Sequence, residues 1–170
     1  NVDTSEDFLI GAAGNTGNAG LNTFFNGDLD DIRFYNELLT STDISEQYTA
    51  NNWTTIKEFL VDINFDSQVQ SDDKGGYDGV TLVGNPAFTE NRFGTASTAV
   101  LFDNVDDYSV FTSSTNVEQS FLGEATISLW IKPTVDFTNV PQILSFVQGN
   151  TGYIASIGTD GNGFPYAKLL

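Results

Sequence analysis

Gly27-Asp28-Leu29-Asp30-Asp31-Ile32-Arg33-Phe34-Tyr35 is the stretch on which the reading of the chain turns. From Leu29 to Tyr35 it has the pattern of a strand, with Ile32 and Phe34 on one face and Arg33 on the other. Asn26-Gly27 ahead of it is a turn dipeptide. If Ile32 and Phe34 face the core, strand parity carries Asp30 to the same inward side. A carboxylate there is costly unless it is paired or bound to a metal. Arg33 projects to the opposite face, which leaves calcium, with Asp30 as a ligand at the sheet edge. A solvated strand end is the competing explanation.

The flanking sequence repeats the texture of short alternating runs punctuated by Gly, Asn, Asp and Ser, as in an all-β sandwich or barrel. Upstream, Phe8 to Gly11 is a short strand running into a polar loop, Ala12 to Asn22, and Thr23-Phe24-Phe25 leads to the turn. Downstream, Leu38 to Tyr48 is one or two helical turns, with Thr40, Ser41 and Thr42 as candidate caps and Ile44 and Tyr48 one turn apart. Phe59 to Phe65 is a strand with Val61, Ile63 and Phe65 on one face. Further strands are expected at 99–102, 108–111, 125–132, 142–147 and 153–157. Thr126 to Lys132 alternates most cleanly, Ile127, Leu129 and Ile131 against Ser128, Trp130 and Lys132, and Pro133 closes it.

Composition narrows the chemistry. The 170 residues carry 6 Lys+Arg against 23 Asp+Glu, a formal charge of −17, so a phosphate track could not be neutralised and nucleic acid is not expected as a partner. With no His and no Cys, imidazole triads, cysteine nucleophiles, thiolate zinc sites and disulfides are excluded. An aromatic content of 13% gives enough apolar surface for an ordered core. No run of apolar residues is long enough to span a membrane. The start at Asn1, without Met or a basic leader, is expected of a chain whose signal peptide has been removed.

Two further acidic loops bear on the cation question. Ser71-Asp72-Asp73-Lys74-Gly75-Gly76-Tyr77-Asp78-Gly79 offers carboxylate and backbone oxygens of the kind calcium takes. Phe102-Asp103-Asn104-Val105-Asp106-Asp107-Tyr108 reads as a hairpin turn held by side-chain bonds to local backbone, with a metal role as the alternative. The spacing of an EF-hand loop does not occur.

Residues 25–36, with Leu39-Thr40-Ser41 and Ile44 behind them, resemble the closing signature of concanavalin A-like, laminin-G-like jelly-roll domains. Asn91-Arg92-Phe93-Gly94, Leu101-Phe102-Asp103 to Tyr108 and Ala125 to Pro133 resemble blocks from the opening half of the same family. The order is inverted: closing portion over 1–52, linker over 53–57, opening portion over 58–170. The middle strands of the family are absent. The chain is then either a window on a tandem array, which the linker-like junction favours, or a permuted fold whose portions complete each other. In either case a neighbouring repeat or another chain is expected to fill an unpaired edge.

The resemblance implies an antiparallel β-sandwich and a structural calcium tying first and last strands, with Asp30 from one portion and Asp72 or Asp73, plus backbone oxygen near Gly76, from the other. It implies a secreted or cell-surface, bacterial, non-catalytic adhesive module that recognises carbohydrate or an extracellular protein. Trp130 and Tyr153 are candidate platforms for ligand, or packing residues. A purely structural spacer is the alternative. The related glycoside hydrolases use paired carboxylates on one strand, and their "ExDxxE" arrangement is missing: Glu118 and Glu124 have no Asp between them.

Overall fold

A computed structural model describes residues 7–14, 21–49, 61–65, 71–72, 80–112, 124–134, 142–147, 153–159 and 165–169. Among these the chain is mostly antiparallel strand, with a single helix of nine residues. The strands are β1 (Asp7–Ile10), β2 (Ala12–Gly14), β3 (Leu21–Phe24), β4 (Asn26–Tyr35), β5 (Val61–Asn64), β6 (Ser71–Asp72) and β7 (Val80–Val83). They continue as β8 (Ala87–Thr89), β9 (Ala99–Asp103), β10 (Tyr108–Thr112), β11 (Thr126–Pro133), β12 (Gln142–Val147), β13 (Tyr153–Thr159) and β14 (Pro165–Leu169). The helix α1 is Ser41–Thr49.

One sheet runs β14-β13-β12-β1-β10-β7; the other runs β6-β5-β4-β9-β8, with β11 paired to the free side of β4. β2 and β3 pair as a separate two-stranded sheet, both beginning inside the Ala12–Asn22 stretch that the sequence suggested was loop. The sheets share one apolar core. Phe8 and Ile10 of β1 and Leu144 of β12 meet Leu29, Ile32 and Phe34 of β4, Val61 and Ile63 of β5, and Val100 and Phe102 of β9. Across that interface the Phe8 and Phe34 rings meet edge to face at 5.3 Å, the arrangement their quadrupoles favour.

Strands from either side of 53–57 are interleaved. β1 lies between β10 and β12, and β4 is central to the second sheet, between β11 on one side and β5 and β9 on the other. The linker assigned to 53–57 lies outside the described residues.

Three local expectations fail. Asn26-Gly27 is not a turn but the start of the ten-residue β4. Gly27 is needed there for another reason: at φ +150° a Cβ would stand 2.5 Å from the Lys132 carbonyl oxygen, so only glycine lets β11 approach. The 103–107 segment is not a hairpin, since β9 and β10 belong to different sheets and the turn carries the chain between them. It is nevertheless held as foreseen, the Val105 N–H donating to Asp103 Oδ1 at 2.8 Å.

The third failure is the parity of Asp30. Asp31 has φ +50°, and between Arg33–Ser128 and Asp30–Trp130 β4 spends one residue more than β11. That bulge resets the alternation. Leu29 and Ile32, three apart, both reach the core, and Asp30 turns with Trp130 to the opposite face.

Candidate functional site

On the face of β4 and β11 away from the core, register sets Asp30 across from Trp130 and Asp28 across from Lys132. The pair between them, Leu29–Ile131, points inward, as does Phe34–Ile127 further along the strands. The connection from β8 to β9 closes over this face. It is pinned by Asn91, whose Oδ1 accepts the N–H groups of Phe93 at 3.0 Å and Thr95 at 3.1 Å. The result is a pocket walled by Asp28, Asp30, Glu90, Arg92, Trp130 and Lys132.

Its charges are of two kinds. Asp28 and Asp30 are nearly covered, at 9% and 7% exposure. Asp30 Oδ1 accepts the Asp31 N–H at 2.9 Å. Asp28 Oδ2 lies 3.3 Å from the Lys132 ammonium, whose side chain is 73% exposed. Arg92 is the structural cation. Its guanidinium lies 3.8 Å from the centre of the Trp130 ring and 4.0 Å from that of Phe93. It also donates to the carbonyls of Tyr48 at 2.9 Å and Gln47 at 3.3 Å, capping the last turn of α1. Burial lowers its pKa, against the raising pull of Asp31 and Asp30.

The helix roofs the remainder of this face. Thr40 caps it: its Oγ1 accepts the Asp43 N–H at 3.2 Å, while Asp43 Oδ2 accepts the Thr40 N–H at 2.8 Å. Ile44 and Tyr48 are exposed, whereas Asp43 and Gln47 are buried, because α1 packs on polar side chains rather than on the core. Gln47 Nε2 donates to the Tyr35 hydroxyl at 2.7 Å, and the Ser128 hydroxyl donates to Gln47 Oε1 at 3.3 Å. Burial raises the Tyr35 pKa, offset in part by Arg33. Tyr48 then leans over Trp130, ring centres 5.5 Å apart.

Of the residues the sequence singled out, Asp30 and Trp130 meet in this pocket. Tyr153 opens β13, its backbone paired with Val147 in the other sheet. Asp72 lies in β6, paired by backbone with Ile63, so β5 stands between its strand and that of Asp30. Asp73 and Gly76 lie outside the described residues. Arg92, Tyr48, Phe93 and Lys132 were not foreseen as one site. The available signal was Arg92-Phe93, one of only six cations, set directly beside an aromatic.

Elsewhere, one carboxylate oxygen from each of Asp103, Asp106 and Asp107 lies within 4.8 Å of the others, a spacing a divalent cation could use. Burial first, then the Asp103 charge, raises the Asp107 pKa, and the bond it accepts from the Asn85 N–H at 3.0 Å lowers it. No helix among the described residues is long and apolar enough to cross a membrane. Compared with known proteins, the chain matches no family description, no curated protein and no solved structure.

Proposed function

We propose that this chain is a non-catalytic binding module on a jelly-roll sandwich of the concanavalin A-like, laminin-G-like kind, from a secreted or cell-surface protein. The observation that carries the reading is the pocket on the outer face of β4 and β11. It sets the apolar wall of Trp130 beside the carboxylates of Asp28 and Asp30 and is bordered by exposed Tyr48 and Phe93. An apolar wall with a few convergent polar groups is the usual make-up of a ligand site. The interleaved strands support portions 1–52 and 58–170 completing one domain.

The test is a broad panel of glycans and extracellular protein fragments, read by the indole N–H signal of Trp130. Binding that shifts this signal and is lost in Trp130→Ala supports the module. A spacer that binds nothing is favoured by one observation, the Arg92 guanidinium already covering a Trp130 face. Silence across the panel selects it.

A structural calcium belongs to the same proposal. What supports a cation is the density of carboxylate, with Asp103, Asp106 and Asp107 as the place where oxygens are already close. A rise in melting temperature in calcium over chelator, smaller in Asp107→Asn, is the expected result. Equal midpoints in calcium and chelator remove the ion.

A further inference from the structure

Asp28 is the feature of the pocket that points to a ligand class. Its carboxylate is nearly covered, yet the cation on it is a lysine side chain that is mostly in water. A pair of this kind is weak because the exposed ammonium trades readily with solvent. The covered carboxylate keeps its need for a positive charge, since an uncompensated one is costly. The site is therefore one that an ammonium already occupies and that another ammonium can take over. Trp130, two residues before Lys132 and on the same face of β11, walls the space that an aliphatic stem would fill.

Resting on the binding reading above, we propose that the pocket takes a lysine side chain of a partner protein, which displaces Lys132 from Asp28. The apolar groups at the rim favour a polypeptide over an amino sugar. Tyr48 is 66% exposed and Phe93 42%, and both touch the Trp130–Arg92 stack, while Ile44, 55% exposed, stands one helical turn before Tyr48. Flanking apolar residues of a peptide would cover them. The formal charge of −17 draws basic segments and repels acidic ones.

The probe is a capped pentapeptide with a central lysine between two phenylalanines, titrated into the full chain while the Trp130 indole N–H is followed. Its lysine-acetylated twin and a glucosamine oligomer are the comparison arms. The lysine peptide is expected to shift Trp130, with the acetylated twin about tenfold weaker, as for loss of a charged hydrogen bond. Lys132→Gln should tighten binding more than Lys57→Gln, which changes net charge equally. Asp28→Asn should weaken binding about tenfold. If Asp28→Asn does not fold, the acetyl-lysine and Lys132→Gln comparisons decide alone.

Equal affinity for the two peptides overturns the proposal, as does equal behaviour of Lys132→Gln and Lys57→Gln. So does binding of the amino sugar with the peptide silent. An uncharged glycan that shifts Trp130 while neither peptide does would sink the lysine assignment and leave the binding module standing. No response of Trp130 to any arm or to the wider panel sinks both.

Discussion

Arg33 and Asp62 face each other across β4 and β5 as a two-pronged pair, Nε to Oδ1 at 2.8 Å and Nη2 to Oδ2 at 3.2 Å. Both are nearly covered, at 6% and 4% exposure, although they point away from the apolar core. Forked geometry of this sort suits arginine and not lysine. Asp62→Ala removes both prongs from a covered guanidinium, with Asp31 Oδ1 still 3.9 Å away, and should cost about 3 kcal/mol in urea unfolding. A loss below about 1 kcal/mol would mean that the pair behaves as a solvated surface bridge.

Arg92 ties the pocket to the helix. Arg92→Lys keeps the charge but loses the planar stack on Trp130 and the fork onto the Gln47 and Tyr48 carbonyls. Faster amide exchange in the last turn of α1 and a shifted Trp130 indole signal are expected together, with about 1 to 2 kcal/mol lost. Loss of one change without the other would separate the two contacts.

Tyr35→Phe removes the hydroxyl that receives the Gln47 amide. About 1 kcal/mol of stability should go, with α1 opening locally well before the sheets. Hydrogen exchange resolved by residue checks the order. Simultaneous loss of protection in α1 and β4 would contradict it.

Asp107 gives the pH dependence. Its raised pKa means that the folded chain holds this proton where the unfolded chain has lost it. Its stabilising contribution is therefore full below the ordinary carboxylate pKa and is lost as pH rises through the raised folded value. Asp107→Asn keeps an oxygen for the Asn85 N–H and removes the repulsion from Asp103 and Asp106. It should stabilise the chain near neutrality by about 0.5 kcal/mol and remove this residue's share of the pH slope. Urea midpoints at several pH values measure both.

Gly27→Ala drives a methyl into the Lys132 carbonyl and the Phe25 ring. Pushing β11 off β4 should cost about 2 kcal/mol or more and widen the pocket between Asp30 and Trp130. Thermal unfolding with the Trp130 signal alongside reads both effects.

Much of the fold was legible because its strands alternate on the period-two pattern. Val61, Ile63 and Phe65, and Ile127, Leu129 and Ile131, fall on the core side as their spacing demanded. What was not legible came from single residues acting against pattern. Asp31 in a left-handed conformation shifts parity by one, and no composition rule marks it, so Asp30 arrived at the pocket for a reason the alternation misjudged. The sidedness of α1 was hidden because the surface beneath it is polar. Ile44 and Tyr48 read as a buried face only if helices are assumed to pack on hydrocarbon. Arg92 reaches its place through the 90–98 connection, and beyond the neighbouring Phe93 its contacts with Trp130, Gln47 and Tyr48 are too distant in sequence to leave a local trace.

The position of β1 has a price during synthesis. Phe8 leaves the ribosome well ahead of its neighbours in the sheet, Phe111 and Phe146. At ordinary elongation rates the nascent segment waits on the order of ten seconds for them. Through that interval an apolar stretch, Phe8-Leu9-Ile10, has no shelter of its own making. Its yield in a cell should then follow the supply of chaperone more closely than the strength of the finished core.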